Sequence, residues 1–238
     1  MKSNVYKIFS AVVIFMSSCV AYYPQVVDIP LIKEKGDKRI DAGLFFAPAM
    51  DQQAVYVDKE DGLRLAGISG IHGTYSSGLT DVLAVQAYTS VDFRAYHLQG
   101  ALGMFKAFEN KNVVEWYSGY GHGNVLGSKP LAGRNNYHLA FTQLNFGKSN
   151  AGNAHIDYGL SIKGGYLFGN KEVWANSEDY YQKDGWMVEP SVFIRFGGEK
   201  VKFCTKVNYV WTNSFQNNYY YLPLNISMGA NISFSSRR

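Results

Sequence analysis

The 238-residue chain is long enough for one domain, or at most two, with a sizeable core. Charged residues make up 18% of it, below the roughly 25% of an ordinary soluble domain, whereas aromatic residues reach 16%. The net charge of +4 falls to +2 (4 − 2) if Lys2 and Lys7 leave with a signal sequence, and the charges form no basic stripe. The composition therefore points away from a nucleic-acid partner and from an ordinary soluble surface.

The chain begins with the features of an export signal. Two early lysines precede a short apolar run, residues 8–16, that is too short to cross a membrane as a helix. The letters MSSC then place two small residues before Cys19, a pattern that resembles the lipobox of bacterial lipoproteins. We predict a lipoprotein signal peptide over residues 1–18 and an acyl anchor on Cys19. Cleavage after Ala21 is the alternative.

The next segment, residues 19–37, is interpreted as a lipidated N-terminus and an extended tether. Pro24, Pro30 and the turn sequence EKGDK interrupt it, and it has no helical periodicity. We assign residues 38–234 to a β-barrel and residues 235–238 to a polar tail.

Ten apolar-alternating runs follow, separated by clusters of Gly, Asn, Asp and Ser that are typical of turns. Strands in soluble sheets usually have five or six residues, whereas membrane strands need about nine to eleven. The predicted strands cover residues 38–47, 62–75, 81–93, 95–108, 113–123, 136–146, 155–168, 186–196, 201–211 and 220–234. Their lengths favour strands that cross a bilayer.

The connections between the runs alternate between short and long, apart from a tight junction near residues 92–94. Short periplasmic turns, longer outer loops and an even strand number are typical of outer-membrane barrels, and an even number puts both ends of the barrel on the periplasmic side. We therefore predict an all-β fold, an antiparallel up-and-down barrel of about ten strands of outer-membrane type. A soluble, lipid-tethered, lipocalin-like barrel with an apolar interior is the alternative.

Aromatic residues gather at the strand ends, as expected of the two girdles at membrane interfaces. The long-loop girdle is predicted to contain Tyr120, Tyr137, Tyr166, Trp186, Trp211 and Tyr220, and the short-turn girdle Phe196 and Phe234.

The polar face of the strands carries charges of both signs. A membrane barrel would enclose these charges, and pairing would offset the cost of burying them. The predicted interior polar cluster consists of Glu115, His155, Asp157, Lys163, Glu189, Arg195, Lys202 and Lys206.

The order of the pieces resembles a group of small exported barrel-like lipoproteins of Bacteroidota, mostly uncharacterised. Three stretches carry the resemblance: YYPQVVDIPLIKEKGDKRIDAG after the lipobox, then VEWYSGYGHG, then VEPSVFIRFGGEKVKF, together with the closing strand. The resemblance implies a fold and a compartment, the cell envelope, more than an activity.

No catalytic, cofactor or metal site is predicted, because the five histidines have no metal-ligand spacing. A ten-stranded barrel with bulky inward side chains also disfavours an open pore. We predict a non-catalytic outer-membrane lipoprotein that is a structural or adaptor component of the envelope. Its expected partners are outer-membrane lipid and another envelope protein within a larger complex.

Two alternatives stay open. The first is a rim-active hydrolase of lipid or peptide that uses His122 with a carboxylate from the longer loops, since a histidine beside carboxylates can work as a general base. The candidate carboxylates are Asp51, Asp58, Asp61, Asp179 and Asp184. The second is a lipid-tethered barrel that binds a small ligand.

Overall fold

The computed structural model describes residues 26–51, 65–92, 95–126, 134–151, 155–169, 184–212, 219–221 and 224–234. Within these ranges the regular structure consists of twelve β-strands. They are β1 (Lys38–Asp51), β2 (Leu65–Gly78), β3 (Leu83–Val91), β4 (Ala95–Ala107), β5 (Asn112–Leu126), β6 (Arg134–Ala151), β7 (Ile156–Gly169), β8 (Gly185–Gly197), β9 (Val201–Tyr209), β10 (Trp211–Thr212), β11 (Tyr219–Tyr221) and β12 (Leu224–Phe234). A helix with the length and apolarity needed to cross a membrane is not found in the described residues.

The strands close into a barrel of ten. Each strand from β1 to β9 pairs antiparallel with its neighbour in sequence, and β12 pairs with both β9 and β1. β9 and β10 pair with β8 in one continuous register, so they are one barrel strand interrupted at Val210. β11 and β12 both pair with β1 and form the last barrel strand. The predicted antiparallel up-and-down barrel of about ten strands is confirmed.

The two openings of the barrel differ in their connections. Lys38 pairs with Phe234, which brings the first and last strands together at one opening. We call that opening the short-turn mouth, because the strand ends there are joined by the short connections 79–82, 108–111, 152–155 and 198–200. The strand ends at the other opening, the long-loop mouth, are joined by the longer connections 52–64, 127–133, 170–184 and 213–218. The tight junction predicted at the long-loop mouth is present, because Asp92 and Ala95 are hydrogen-bonded to each other.

The side chains of the strands alternate between the lumen and the outer wall, with polar residues inside and apolar residues outside, which is the reverse of a soluble barrel. On β9, Lys202 and Lys206 are buried in the lumen while Val201 and Phe203 are exposed. The other strands follow the same pattern, and Leu102 on β4 has 69% of its surface exposed on the outer wall. Successive side chains of a strand face opposite sides, so the polar set fills the interior and the apolar set covers the outside. This is the arrangement of an outer-membrane barrel and the reverse of the lipocalin-like alternative.

The interior also contains the chain that precedes β1. Residues 26–32 are all buried inside the barrel, and residues 33–37 turn at the short-turn mouth to reach β1. We call residues 26–37 the lumen segment. The interpretation of residues 19–37 as a tether is therefore wrong for residues 26–32, because their apolar side chains pack within the barrel and not outside it.

Candidate functional site

The lumen segment packs its apolar side chains against inward-facing residues of the barrel wall. Val26 and Ile32 belong to one buried cluster with wall residues such as Phe45 and Tyr88. A second cluster joins the remaining apolar residues of the segment to the wall: Val27, Ile29, Leu31, Val113 and Phe193. Burying side chains of this size contributes about 1.5–3 kcal/mol each, so the segment is held mainly by the hydrophobic effect.

Polar wall residues bind the two ends of the buried stretch through its backbone. The Val26 amide donates a hydrogen bond to the Tyr88 hydroxyl at 3.0 Å. The Ile32 amide donates to Glu115 Oε1 at 2.7 Å, and Asn145 Nδ2 donates to the other oxygen of that carboxylate at 2.9 Å. A buried amide without a partner costs about 1–3 kcal/mol, so these wall residues make it possible to bury an extended chain that has no neighbouring strand.

The middle of the segment is held by three further side chains. Gln143 Nε2 and Gln86 Nε2 donate to the Asp28 carbonyl at 2.7 and 3.3 Å. Arg195 Nη2 donates to the Ile29 carbonyl at 2.7 Å. The donors come from β3, β6 and β8, so the segment is fastened from several sides of the barrel.

A four-charge cluster joins the segment to the wall. Lys206 Nζ donates to Asp28 Oδ1 at 3.0 Å and to Asp41 Oδ1 at 2.7 Å. Arg195 Nη2 lies 3.5 Å from Asp28 Oδ1 and 3.8 Å from Asp41 Oδ2. Two positive and two negative groups therefore balance in the interior, where an uncompensated charge would be strongly unfavourable.

A second charged group lies nearer the short-turn mouth. Lys202 Nζ donates to Asp157 Oδ1 at 2.7 Å, and Arg39 Nη1 lies 3.6 Å from Asp157 Oδ2. Ser149 Oγ donates to the same carboxylate at 3.3 Å. This group links four wall strands, β1, β6, β7 and β9, to one another.

A third charged group in the interior is a single pair of opposite charges on β7 and β8. Lys163 and Glu189 are directly opposed in the strand register. Lys163 Nζ donates to Gln99 Oε1 at 2.8 Å and lies 4.4 Å from the centre of the Phe141 ring, a cation–π contact. Asn208 Nδ2 donates to Glu189 Oε1 at 3.4 Å. Charged side chains therefore also occupy the interior on the long-loop side of the four-charge cluster.

Leu31 and Gly147 fit together closely inside the barrel. Leu31 has a φ of 56°, in the left-handed region that is costly for a leucine. A Cβ added to Gly147 would lie 2.7 Å from Leu31 Cδ2, so a side chain at this position of β6 would occupy the space of the leucine. The close approach of Leu31 to β6 therefore depends on a glycine at position 147.

The structure places seven residues of the predicted interior polar cluster inside the barrel. They are Glu115, Asp157, Lys163, Glu189, Arg195, Lys202 and Lys206. His155 differs: it is half-buried in the turn before β7 with a φ of 49°, because β7 begins one residue later. Asp28, Asp41 and Arg39 also lie in the interior and were not predicted from the sequence. The signal for Asp28 was a single acidic residue within an otherwise apolar stretch, VVDIPLI.

Six predicted girdle residues face outward: Tyr120, Tyr166, Trp186, Trp211, Phe196 and Phe234. Five of them lie within three residues of a strand end, whereas Tyr120 lies near the middle of β5. Trp186 and Trp211 form an edge-on contact with ring centres 5.0 Å apart. Tyr137 differs, because its position in β6 has the inward parity, and its hydroxyl is 2.9 Å from His97 Nδ1 in the lumen. The side chain of Tyr220 and all of Cys19 lie outside the described residues.

His122, the histidine considered for a hydrolase, faces outward on β5. It is directly paired with His138 on β6, with ring centres 4.8 Å apart. The Tyr96 hydroxyl is 3.3 Å from His122 Nε2, and the Tyr120 hydroxyl is hydrogen-bonded to His138 Nδ1. Of its candidate partners, the side chain of Asp51 and the whole of Asp58, Asp61 and Asp179 lie outside the described residues, and Asp184 accepts a hydrogen bond from the Gly169 amide. A cluster of three or more metal-binding side chains is not found in the described part of the chain.

Comparison with known proteins gave structural similarities only. No family model matches the chain, and no curated protein matches it. The outer membrane protein OprG of Pseudomonas aeruginosa aligns with a TM-score of 0.42 and 14% identity, over 88% of this chain and 100% of that one. The translocator domain of the autotransporter NalP of Neisseria meningitidis aligns with a TM-score of 0.44 and 8% identity, over 98% and 95%. The outer membrane protease OmpT of Escherichia coli aligns with a TM-score of 0.45 and 12% identity, over 83% and 97%.

Proposed function

We propose that this protein is a non-catalytic outer-membrane lipoprotein whose barrel, closed by its own lumen segment, is a structural or adaptor component of the cell envelope. The observation that carries the proposal is the occupied lumen. Residues 26–32 are all buried in the interior, and six of the seven contact the wall through apolar clusters or hydrogen bonds: Val26, Val27, Asp28, Ile29, Leu31 and Ile32. Because buried side chains fill the described part of the interior, the proposal assigns the working surfaces to the outer wall and the mouths of the barrel.

The apolar outer wall supports the location in a membrane. Large apolar side chains such as Leu44, Leu98, Leu102 and Met228 each have more than half of their surface exposed. Soluble monomers rarely expose continuous apolar patches larger than a few hundred Å², and a barrel with this exterior would aggregate in water. Lipid is the solvent that suits it.

A polar interruption of the outer wall supports the adaptor role. On β5 and β6, Trp116 Nε1 donates to Thr142 Oγ1 at 2.6 Å, and Ser118 Oγ donates to the same oxygen at 3.4 Å. These polar groups are hydrogen-bonded within the wall, and Thr142 Oγ1 also donates to the Tyr117 carbonyl at 3.2 Å, but they interrupt an apolar surface with polar atoms that lipid solvates poorly. We propose that an envelope protein covers this patch, which consists of Trp116, Ser118 and Thr142.

Purification from detergent-solubilised outer membranes tests the adaptor role. A photo-crosslinking residue at position 118 should link the barrel to one defined protein, and the double variant Ser118→Leu/Thr142→Val should purify without that protein. Ile194→Leu, on the outer wall of another strand, is the matched control and should retain it. A monodisperse particle with no crosslinked protein would contradict the adaptor role.

The hydrolase alternative has its own test. His122→Ala should leave the lipid composition and the proteolysis pattern of the envelope unchanged if the protein is not an enzyme that uses this residue. A change in either profile, restored by the wild-type chain, would favour the hydrolase.

A further inference from the structure

Two histidines lie side by side on the outer wall, toward the long-loop mouth. His122 on β5 is directly paired with His138 on β6, and their ring centres are 4.8 Å apart. Both side chains are half-buried. The strand register brings them together, so no spacing along the sequence reveals the pair. Neutral imidazole is the commonest metal ligand in proteins and suits first-row transition metals.

Each imidazole has one nitrogen in contact with a tyrosine hydroxyl. The Tyr96 hydroxyl is 3.3 Å from His122 Nε2, and the Tyr120 hydroxyl is hydrogen-bonded to His138 Nδ1. A metal-ligating histidine almost always donates its other ring N–H to an oxygen, which fixes its tautomer and orientation, and a tyrosine hydroxyl can accept that bond. The tyrosines therefore leave His122 Nδ1 and His138 Nε2 as ligand atoms. Among the described residues, His122 Nδ1 has no hydrogen-bond partner.

Neighbouring aromatic rings hold His138 in place. It stacks on Phe168 with ring centres 5.4 Å apart and planes at 22°, and on Tyr120 with ring centres 5.8 Å apart and planes at 29°. A side chain that is already ordered loses less conformational entropy when it binds a ligand. The packing therefore prepares this ring for a ligand.

The separation of the two rings matches two neighbouring ligands of one ion. With a metal–nitrogen distance of about 2.0–2.1 Å, each ring centre would lie about 3.2 Å from the ion. Two rings 4.8 Å apart would then subtend an angle of about 97° at the ion. An angle near 90° suits the tetragonal coordination of Cu²⁺, which also binds nitrogen ligands more tightly than the other first-row divalent metals.

The pair lies at a depth that an ion in water can reach. Asn112 begins β5 at the short-turn mouth, and His122 is the eleventh residue of that strand. Membrane strands need about nine to eleven residues, so His122 lies at the outer limit of the span. The next outward pair toward the long-loop mouth is polar, because Asn124 Nδ2 donates to Asn136 Oδ1 at 2.6 Å.

We propose that His122 and His138 form a copper-binding site on the outer wall of the barrel, in which Tyr96 and Tyr120 position the two rings. The remaining coordination positions are open to water. The site does not depend on the adaptor role, so the failure of either proposal leaves the other standing.

Titration of the full chain with Cu²⁺ alone, in detergent micelles, tests the site. Calorimetry gives the dissociation constant, and electron paramagnetic resonance gives the number of nitrogen ligands. The variants are His122→Ala, His138→Ala and Tyr120→Phe. The matched control is His155→Ala, which removes a half-buried histidine from the turn before β7. Heat-modifiable migration shows whether each variant is folded.

The expected result is one Cu²⁺ per chain with two nitrogen ligands. His122→Ala and His138→Ala should each weaken binding by more than about tenfold and leave one nitrogen ligand, since removing a ligand costs more than the roughly tenfold loss expected of Tyr120→Phe. His155→Ala should bind as the unaltered chain does.

Fewer than two nitrogen ligands in the unaltered chain overturns the site, whatever the variants do. Binding that neither His122→Ala nor His138→Ala weakens, or that His155→Ala weakens equally, overturns it as well. Undiminished binding by Tyr120→Phe would overturn the positioning role of that tyrosine alone.

Discussion

Asp28 links the lumen segment to the wall through charge. It accepts a hydrogen bond from Lys206 and lies within 3.5 Å of Arg195, and both of these side chains also face Asp41. We expect Asp28→Asn to leave one excess positive charge in the interior and to lower the free energy of unfolding by about 3–5 kcal/mol. Urea unfolding in detergent micelles, followed by tryptophan fluorescence, measures this change.

The control for Asp28→Asn is Asp81→Asn, the same change in the exposed turn between β2 and β3. It should alter the free energy of unfolding by less than about 0.5 kcal/mol. Equal effects of the two variants would mean that the four-charge cluster does not hold the segment.

Removing the opposite charge as well should recover part of the loss. Lys206→Met alone leaves Arg195 as the single positive member of the four-charge cluster against Asp28 and Asp41, whereas the double variant Asp28→Asn/Lys206→Met restores the balance of one positive and one negative charge. We expect the double variant to be less destabilised than the sum of the two single variants, with a coupling of about 0.5–3 kcal/mol. The same unfolding series measures it, and additive losses would contradict direct pairing.

At this scale, the sequence predicted side-chain orientation better than side-chain partners. The alternation of polar and apolar residues placed Lys206, Arg195 and Glu115 on the inner face, because a strand has a period of two. Their partners depend on strand register and on Asp28, which is more than 160 positions away in sequence from Arg195 and Lys206. The prediction that Tyr137 belongs to the outer girdle rested on its place near a long-loop strand end, but that place does not determine which face of β6 the side chain takes, and the tyrosine is buried on the inner face.

The contact between Leu31 and Gly147 fixes how the lumen segment fits against β6. Gly147→Ala would bring a methyl group to 2.7 Å from Leu31 Cδ2 and 2.9 Å from the Tyr158 carbonyl. Overpacking of this kind costs about 1–3 kcal/mol, so we expect a lower midpoint in heat-modifiability gels. Gly100→Ala is the matched control, because nothing lies within 4 Å of its added Cβ.

A second substitution separates the fit of the segment from strain within the sheet. Leu31→Ala removes the atoms nearest the new methyl group, so Leu31→Ala/Gly147→Ala should lose less stability than the two single losses added together. If the losses add, the clash is with the Tyr158 carbonyl and not with the lumen segment.

At the scale of elements, the ten strands could be predicted because each one carries its own pattern. Their period of two, their length and the turn residues between them are local signals. The lumen segment lacks such a pattern, since its contacts surround it inside the barrel and its apolar residues do not alternate. The density of apolar residues in VVDIPLI was the available signal, because an extended tether in water would not need five large apolar side chains.

For the whole molecule, the filled lumen predicts the absence of ion conduction. The full chain in a planar lipid bilayer should give no stable conductance steps. A variant with residues 26–32 replaced by a Gly-Ser linker of equal length should conduct, because the seven buried residues that fill the lumen have then lost their side chains. Retained heat-modifiable migration would show that the variant barrel is folded. Conduction by the unaltered chain would contradict a lumen that is closed by its own segment.

The outer wall distinguishes a barrel embedded in lipid from one in water. Leu102 lies near the middle of β4 and is among the most exposed apolar residues, whereas Leu83 lies at the short-turn end of β3. An arginine on the lipid face costs about 2–4 kcal/mol at the bilayer centre and about 0–1 near the interface. In lipid vesicles we therefore expect Leu102→Arg to lower the free energy of unfolding by about 2–4 kcal/mol and Leu83→Arg by at most about 1. If the wall faced water, both substitutions would replace an exposed leucine with a charge and would improve solubility equally. A loss of unfolding free energy that is larger for Leu102→Arg than for Leu83→Arg therefore identifies lipid as the solvent of the apolar wall.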